Sequence, residues 1–557
     1  MIESLENVSE LLPSSIPVPA SVITVTSYVL FYLQRIIMAI PGGHYMVEYI
    51  AKSHQDDPYR TMVELGLILY GIVYYLNKPR KQGQAEQARF TAREEEQLIA
   101  EWEPEPLVDP DFREGWRLAK MPRRRADELG NRVTVTRDDG RETYADVLDM
   151  ASYNCLRLSQ NKGVVKRVEK TIRNYGVGSC GPAGFYGNQD LHYNLEYQLA
   201  RFFGTENAVL YGQDFCVASS VIPAFTKRGD VIVADDQVSV ALQNALQLSR
   251  STVYYYKHND MESLEELLTK LDERDRAERL PALPRKFIVT EGLFQNSGDI
   301  APLPELVKLK GAFHYRLVVD ETYSLGVLGS TGRGLSEHFN VQRCSSIDIT
   351  IGSMATALGS SGGFVLGDNV MSRHQRIGSN AYCFSASLPP YTCAGALATL
   401  DVMEADNSAV QNLRSLAKTF HASFISDPEL AEYILVTSNE NSSVLHLQLA
   451  PAFRMRLFGS SAESIYDELV QLRARHVTSL YVDPWEQEER FLQRIVDRVL
   501  DGGVLITRNT VVLKHESLPI VPSLKAHCHA AMSCAEVERA HEVIKAAIIA
   551  CCAQPSL

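Results

Sequence analysis

The sequence predicts an α/β protein with a mainly parallel seven-stranded sheet, a smaller α+β C-terminal domain and N-terminal membrane helices. Three observations support this fold class. From about residue 150, short runs rich in β-branched residues alternate with helical stretches, which is typical of a parallel sheet. Most of these runs are apolar throughout, as expected for strands that are covered on both faces. After Pro390 the pattern changes to amphipathic helices and short mixed strands.

The large domain is predicted to span residues 151–390 and the C-terminal domain residues 391–557. The seven predicted strands of the large domain are residues 208–211, 231–234, 253–256, 287–290, 317–320, 348–351 and 363–366. In the C-terminal domain, strands are predicted at residues 444–449 and 504–507. Because ligands of open α/β sheets bind beyond the carboxyl ends of the strands, the residues that follow these strands are the first candidates for a site.

Residues 1–85 are predicted to form a membrane or interfacial region. They contain two apolar stretches, residues 18–34 and 59–76. As a helix the second stretch is about 27 Å long, close to the ~30 Å hydrocarbon core, which predicts a transmembrane helix at residues 59–77. Basic residues follow it directly, so the positive-inside rule predicts a cytosolic globular part. A pair of helices buried in a protein core is the alternative, and the number of spans stays open.

Residues 86–150 are predicted to be a linker and a docking segment, because the proline density of residues 101–110 excludes a regular helix there. The formal net charge of −13 argues against binding of nucleic acid. Ten scattered cysteines without a Cys-x-x-Cys pair predict free thiols in a reducing compartment. The triplet His527-Cys528-His529 lacks the spacing of a zinc site, so no metal site is predicted.

Two features of the large domain could carry chemistry. Asp320 closes the strand at residues 317–320, where its carboxylate could face a ligand or cap a turn. The segment Tyr175–Gly187 has five glycines in thirteen residues. These glycines allow the backbone to approach a ligand or a neighbouring subunit closely, although such a loop is not specific by itself.

The segment Gly352–Phe364 reads GSMATALGSSGGF. It resembles the segment of the α-oxoamine synthases that carries the Schiff-base lysine, roughly Gly-Thr-x-x-Lys-Ala-x-Gly-x-x-Gly-Gly. This resemblance implies an aminotransferase-like large domain of fold type I and the cofactor pyridoxal 5′-phosphate. Further matching segments occur in family order: His258-Asn-Asp260, Gly326-x-x-Gly329-x-x-Gly332-Arg333-Gly334 and Phe384–Pro390.

Within this family the chain is most similar to the fungal type of long-chain-base subunit 1 of serine palmitoyltransferase. Three segments carry this closer resemblance: Cys180–Gly187, Tyr211–Phe215 and Glu101–Val108. Catalytic relatives of this type condense L-serine with palmitoyl-CoA to 3-ketosphinganine, the first step of sphingolipid biosynthesis.

The chain departs from the active pattern at the positions of the catalytic groups. Thr356 stands at the lysine position, and no lysine occurs between Lys310 and Lys418. Ser239 and Tyr323 stand at the positions of two histidines. A threonine hydroxyl cannot form the imine that holds the cofactor. The resemblance therefore implies a chain without catalytic residues.

Two further sites differ from the family pattern, whereas one cofactor-binding residue of the pattern, Asp320, is present. Ala183 stands where the glycine-rich loop has an arginine, and Ser523-Leu524-Lys525 stands for an Arg-x-Arg pair that contacts a carboxylate. Asp320 matches the aspartate that pairs with the pyridinium nitrogen. In this chain it is interpreted as a vestigial cofactor-binding residue.

The family is an obligate dimer whose active sites lie between subunits, so this chain is expected to complete the site of a lysine-bearing catalytic subunit. The loops implied to reach the partner's site or the interface contain Cys180, Tyr186, Ser385, Ala386 and Ser387. Pyridoxal phosphate would then be held covalently by the partner.

The resemblance also implies a small activating subunit, Orm-type regulators and attachment to the endoplasmic-reticulum membrane. Three alternatives stay open. One is an active acyltransferase that uses another amine. Another is a purely structural or regulatory membrane scaffold, and the third is a soluble regulatory pseudoenzyme.

Overall fold

The computed structural model describes residues 58–77, 90–103, 116–117, 120–125, 128, 130–137, 140–278, 284–474, 483–510, 516, 518 and 520–554, with single residues and short stretches between 32 and 52. It divides into two compact units, residues 1–112 and 113–557. The predicted domain boundaries at 85/86, 150/151 and 390/391 stay predictions. Most of the proline-rich segment predicted to dock in extended form, residues 104–110, lies outside the described residues.

The first unit has two described helices, α1 (Pro58–Asn77) and α2 (Ala92–Glu101). Thr91 is the N-cap of α2: its hydroxyl accepts the Glu94 N–H while the Glu94 carboxylate accepts the Thr91 N–H, which forms a capping box. In α1 the side chains of Leu67, Ile68 and Leu69 are exposed by 60–64%. No helix in the described part of the chain combines the length and apolarity needed to cross a membrane. The span predicted at residues 59–77 is therefore not confirmed.

The second unit is organised around a seven-stranded sheet, as predicted. Its strands in chain order are β4 (Asn207–Tyr211), β5 (Val231–Asp235), β6 (Thr252–Tyr256), β7 (Lys286–Glu291), β8 (Arg316–Asp320), β9 (Ile349–Ser353) and β10 (Gly363–Gly367). Their spatial order is β4-β10-β9-β8-β7-β5-β6. The pairs from β9 to β6 are parallel, whereas β10 runs antiparallel to both β4 and β9.

Helices join and cover these strands. They are α3 (Lys162–Tyr175), α4 (Asp190–Phe203), α5 (Phe215–Phe225), α6 (Val240–Leu248), α7 (Met261–Glu278), α8 (Leu303–Phe313), α9 (Leu335–His338), α10 (Arg343–Ser346), α11 (Asn369–Gly378), α12 (Asn380–Phe384) and α13 (Pro390–Ala405). Every residue of β5 is buried, which agrees with a strand that is covered on both faces. Apolar periodicity therefore predicted this layer correctly.

The antiparallel strand β10 shapes the loop that contains Thr356. Gly363 pairs with Ser353 across β9 and β10, so residues 354–362 form a closed hairpin loop. The Met354 N–H donates to the Gly362 carbonyl at 2.9 Å. Gly362 has φ +85°, and a Cβ there would lie 2.6 Å from the Tyr211 carbonyl oxygen, so only glycine fits this turn.

Two four-stranded sheets complete the second unit. The first has the order β1-β2-β3-β13, with β1 (Arg123–Arg124), β2 (Arg132–Arg137), β3 (Glu142–Asp149) and β13 (Val504–Leu505). The second has the order β11-β12-β15-β14, with β11 (Ile434–Val436), β12 (Val444–Leu449), β15 (Leu524–His527) and β14 (Thr507–Arg508). The remaining helices are α14 (Ser408–Ile425), α15 (Pro451–Phe458), α16 (Ala462–Ala474), α17 (Asp483–Asp501) and α18 (Cys534–Ala553).

The strand predicted at residues 504–507 is split at Ile506. Residues Val504–Leu505 pair in parallel with β3, and residues Thr507–Arg508 pair antiparallel with β15. The chain therefore passes from one sheet to the other at this point. The single predicted strand was wrong because an apolar run does not reveal that its two ends pair with different sheets.

Candidate functional site

Four carboxyl groups lie at the carboxyl ends of the parallel strands or in the turn after β4. Asp235 ends β5, Glu291 ends β7 and Asp320 ends β8, while Asp214 precedes α5. Glu291 and Asp320 are register partners on adjacent parallel strands. The strand ends therefore collect acidic groups where an α/β fold places its ligands.

Burial makes two of these carboxyl groups hard to ionise. It raises the pKa of Glu291 to about 7, and the nearby Asp320 adds to the shift. Burial likewise raises the pKa of Asp320 to about 6. Within the described residues no basic side chain forms an ion pair with either group. The centre of the site is therefore acidic.

Asp320 lies where the sequence predicted it, at the carboxyl end of β8. It is buried, and its Oδ1 accepts the Thr322 N–H at 2.9 Å. This contact is the turn-capping alternative that the sequence left open.

Thr356 lies directly beside this turn. Its hydroxyl donates to the Thr322 carbonyl at 2.8 Å, and the residue is 7% exposed. The Ser353 hydroxyl, at the start of the same loop, donates to the Asp214 carboxylate at 2.8 Å. Thr356, at the lysine position, therefore lies beside the strand end that carries Asp320. Its hydroxyl already donates a hydrogen bond to the backbone.

Ser239 caps the start of α6 and contacts Glu291. Its backbone N–H donates to Glu291 Oε1 at 2.5 Å, and the residue is buried. The preceding loop is held by Asp235, whose carboxylate pairs with His258 Nδ1 at 2.9 Å. Ser239 therefore lies in the site, but it has no ring that could stack on a cofactor.

Tyr323, at the second histidine position, belongs to an aromatic and basic cluster. Its ring packs against that of Tyr153 with centroids 5.3 Å apart. The Lys525 ammonium donates to the Tyr153 hydroxyl at 3.1 Å, and Gln295 donates to the same oxygen at 3.4 Å. Burial opposes ionisation of Tyr153, but Lys525 lowers its pKa overall, whereas burial raises the pKa of Tyr323.

The sequence did not predict Tyr153 or Gln295 as site residues. Neither Tyr153 nor Gln295 belongs to a segment that stands out in the sequence, and Tyr153 is separated from Lys525 by 372 positions. For Lys525, the only sequence signal was its place in the triplet that replaces Arg-x-Arg. In the structure the Lys525 ammonium group donates a hydrogen bond to the Tyr153 hydroxyl of the same chain.

The fold brings the glycine-rich loop and the loop at residues 384–387 into contact with each other. Both loops were predicted to reach the partner's site or the subunit interface. Pro182 and Ala386 form an antiparallel bridge. The Ser387 N–H donates to the Gly181 carbonyl at 2.9 Å, and its hydroxyl donates to the Gly187 carbonyl at 2.7 Å. The two loops therefore act as one structural element.

This element exposes several of the predicted interface residues. Cys180 is exposed and has φ +52°, a left-handed conformation that is uncommon for a residue with a side chain. Tyr186 is 72% exposed, and Ser385 and Ala386 are exposed as well. Ala183, at the position of the family's arginine, packs partly buried against the core.

Large apolar side chains surround the two loops. Phe185 and Phe384 are 72% and 77% exposed, and Val177 is 74% exposed. Tyr193 and Tyr197, on α4, are 57% and 67% exposed. A monomer rarely exposes this much clustered apolar surface, so the region is a candidate for contact with another chain.

The residues at the strand ends do not fit covalent binding of pyridoxal phosphate. An amine is absent at Thr356, whose hydroxyl is bound to Thr322. The phosphate is an anion and favours a free helix N-terminus. At α5 that N-terminus is capped by the Asp214 carboxylate, which accepts the Phe215 N–H at 2.8 Å.

Comparison with protein families and curated proteins gives consistent matches. Residues 145–544 match the family model described as aminotransferase class I and II. Serine palmitoyltransferase 1 of Saccharomyces cerevisiae is 59% identical over 98% of this chain and 99% of its own length. Serine palmitoyltransferase 1 of Dictyostelium discoideum is 35% identical over 90% of this chain and 96% of its own length. Long chain base biosynthesis protein 1 of Arabidopsis thaliana is 38% identical over 68% of this chain and 75% of its own length.

Solved structures with the same fold were also found. A structure described as SPT with a PLP internal aldimine has a TM-score of 0.61 at 20% identity, covering 76% of this chain and 92% of that one. The serine palmitoyltransferase of Sphingomonas wittichii has a TM-score of 0.60 at 19% identity, covering 82% and 95%. At this level of identity the likeness establishes the fold.

Proposed function

The chain belongs to the class I and II aminotransferase family and, within it, to the serine palmitoyltransferase 1 proteins, and from this premise we propose that it is the non-catalytic subunit of a heteromeric serine palmitoyltransferase. A lysine-bearing long-chain-base subunit would hold pyridoxal phosphate covalently. The complex would condense L-serine with palmitoyl-CoA, with release of CO₂ and CoA, to give 3-ketosphinganine.

The state of Thr356 is the observation that carries this proposal. Covalent binding and recycling of the cofactor need a primary amine on a flexible stem. Thr356 supplies a hydroxyl that is 2.8 Å from the Thr322 carbonyl, and no lysine lies between positions 310 and 418. Ser239 and Tyr323 add to this argument, because neither can replace an imidazole that stacks on a cofactor or transfers protons near neutral pH.

The charge of the site supports assignment of the cofactor to the partner. The Asp214 carboxylate caps the N-terminus of α5, where a phosphate group would otherwise bind. A phosphate placed beside this carboxylate would be repelled by it. The cofactor therefore belongs with the subunit that supplies the lysine.

The exposed loops support a role at the partner's active site. Ser387 ties the 384–387 loop to the glycine-rich loop through two hydrogen bonds, so both loops can act as one preorganised element. Phe185, Tyr186 and Phe384 project from it with more than two thirds of their surface exposed. Aromatic anchors of this kind are typical of the centre of a protein–protein interface.

Reduction of the purified complex with borohydride tests where the cofactor is bound. The reagent fixes pyridoxal phosphate on the lysine that holds it, and mass spectrometry then identifies the modified peptide. We expect the modified lysine in the partner subunit and none in this chain. A reduced adduct on any lysine of this chain would contradict the proposal and favour an active acyltransferase that uses another amine.

A purely structural scaffold is the second candidate, because the same loops could stabilise the partner without contacting its site. Tyr186→Ala in the assembled complex distinguishes the two. Ile425→Ala is the matched control, since Ile425 is also exposed, by 62%, at the end of α14. We expect Tyr186→Ala to lower turnover at least threefold in an intact complex. Unchanged turnover with intact assembly would favour the scaffold.

Attachment to the endoplasmic-reticulum membrane, with the globular unit in the cytosol, is part of this proposal. Its support is chemical, since a palmitoyl substrate and a long-chain product partition into lipid, and the apolar side chains of α1 are exposed. A small activating subunit and Orm-type regulators would bind near the N-terminal region. Extraction of cell membranes with alkaline carbonate tests the attachment, and release of the chain would contradict it.

A further inference from the structure

Arg333, in the glycine motif that precedes α9, has a guanidinium group without a polar partner. Its Nε is buried without a hydrogen bond, and its only side-chain interaction within the described residues is with the ring of Phe202, 5.0 Å below. Arg343 provides a contrast, because its guanidinium pairs with Glu321 at 2.9 Å and with Thr350 at 3.1 Å. The fold therefore pairs the guanidinium of Arg343, on α10, but leaves that of Arg333 without a polar partner among the described residues.

Arg333 is one of the residues that line a cavity of about 300 Å³. This volume lies at the lower end of the ~300–1,000 Å³ that is typical of small-molecule sites. Phe202 and Met403, both almost completely buried, form an apolar part of its wall. Thr331 and Asn407 add polar groups. The cavity is thus built from an apolar surface and a few polar groups, the usual composition of a ligand site.

The same cavity carries acidic groups where α13 ends. Glu404 and Asp406 line it, and α13 ends at Ala405, so the partly negative carbonyl end of the helix adds to their potential. Glu404 also pairs with Arg201, and Asp406 accepts the Ser408 N–H and hydroxyl. These contacts restrain the two carboxylates.

Arg333 forms no ion pair with either carboxylate, although all three groups line one cavity. Opposite charges that share a cavity without contact can each bind one end of a ligand that carries both charges. An isolated phosphate would be repelled by Glu404 and Asp406, and an isolated amine would be repelled by Arg333. The charge pattern therefore selects a zwitterion.

We propose that this cavity binds a free α-amino acid with a small side chain. Arg333 receives the carboxylate through two parallel N–H donors, the geometry that a guanidinium favours. Glu404 and Asp406 receive the ammonium group, and the small side chain contacts Phe202 and Met403. The site is separate from the acidic cluster at the strand ends, and its occupation does not depend on catalysis by this chain.

Ligand-observed saturation-transfer NMR on the full-length chain tests this site. L-alanine is the probe, and propionate and ethylamine are matched controls that each lack one of the two charges. We expect both controls to bind at least tenfold more weakly than L-alanine. Equal binding of propionate or ethylamine, or the absence of saturation transfer to L-alanine, would overturn the proposal.

Substitutions locate the binding within the chain. Arg333→Gln is expected to weaken L-alanine binding at least tenfold, with a smaller loss for Arg333→Lys, which keeps the charge but not the planar fork. If Arg333→Gln lowers the thermal midpoint, Glu404→Gln with Asp406→Asn changes only exposed carboxylates and is expected to weaken binding at least fivefold. Unchanged L-alanine binding in the folded variants would refute the assignment.

Discussion

Replacing Asp320 with asparagine should stabilise the protein above neutral pH. In the folded state burial raises the pKa of Asp320 from 3.8 to about 6. A difference of about two pKa units corresponds to ~3 kcal/mol between the two protonation states. Because the folded pKa is the higher one, the stability contributed by the neutral acid is fully present below pH ~4 and is lost as the pH rises through 6.

Asparagine keeps the observed contact and removes this loss. Its side-chain oxygen can still accept the Thr322 N–H in the place of Asp320 Oδ1, which lies 2.9 Å from the Thr322 nitrogen in the native chain. It cannot ionise, so it also removes the negative charge that raises the pKa of Glu291. The gain in the free energy of unfolding over the native chain should therefore begin near pH ~4 and level off above pH ~6, at up to ~3 kcal/mol.

Thermal unfolding of the purified chain at pH 5 and pH 8 measures this effect. The midpoint of Asp320→Asn should exceed that of the native chain by about 1–2 °C more at pH 8 than at pH 5, because the unfolding entropy of a chain of this length is large. Asp401→Asn is the control, because Asp401 forms only a surface pair with Arg167, worth ~0–1 kcal/mol. If the difference in midpoint does not widen with pH, burial of an ionised Asp320 is not costly and the reasoning fails. Turnover of the complex should stay unchanged, since the proposed cofactor is bound by the partner.

Two further predictions concern groups around the site. Lys525→Met should raise the pKa of Tyr153, because the ammonium group that lowers this pKa is lost. Ultraviolet difference titration measures the pKa, with Lys525→Arg as the control that keeps the positive charge. Equal tyrosine titration in the two variants would contradict the prediction. Gly334→Ala should destabilise the fold by at least ~2 kcal/mol, since Gly334 has φ +85° and an added Cβ would lie against the buried Glu321 carboxylate. In urea unfolding, Gly311→Ala, on α8 with open space around an added Cβ, should stabilise the fold by ~0.5–1 kcal/mol, because alanine favours a helix more than glycine does. A similar loss in both variants would show that the contact with Glu321 is unimportant.

The hairpin loop around Thr356 shows what could be predicted from local sequence. The strand before it is a buried apolar run, and glycines close the loop, so the position of Thr356 beside a strand end followed from residues within a short stretch. Asp320 followed in the same way from its place at the end of β8. Strand ends are local features, and a parallel sheet collects them on one edge.

The split of residues 504–507 and the cluster at Tyr153 show what could not be predicted. Val504–Leu505 and Thr507–Arg508 pair with strands that are distant in the chain, and their apolar pattern is the same for either partner. Tyr153 meets Lys525 across 372 positions. Such contacts depend on how complete elements pack, which a single sequence does not encode in a readable pattern.

The sequence by itself determined the fold class and the absence of an amine at the lysine position. Apolar periodicity depends on neighbouring residues, and a missing functional group needs no coordinates to be recognised. Only the tertiary structure decided the state of the groups around that position. Burial of Glu291 beside Asp320 raises the pKa values of both groups. The Thr356 hydroxyl donates a hydrogen bond to the Thr322 carbonyl, and Ser387 joins two distant loops into one exposed element. These properties arise from desolvation and long-range contact, which exist only once the chain has folded.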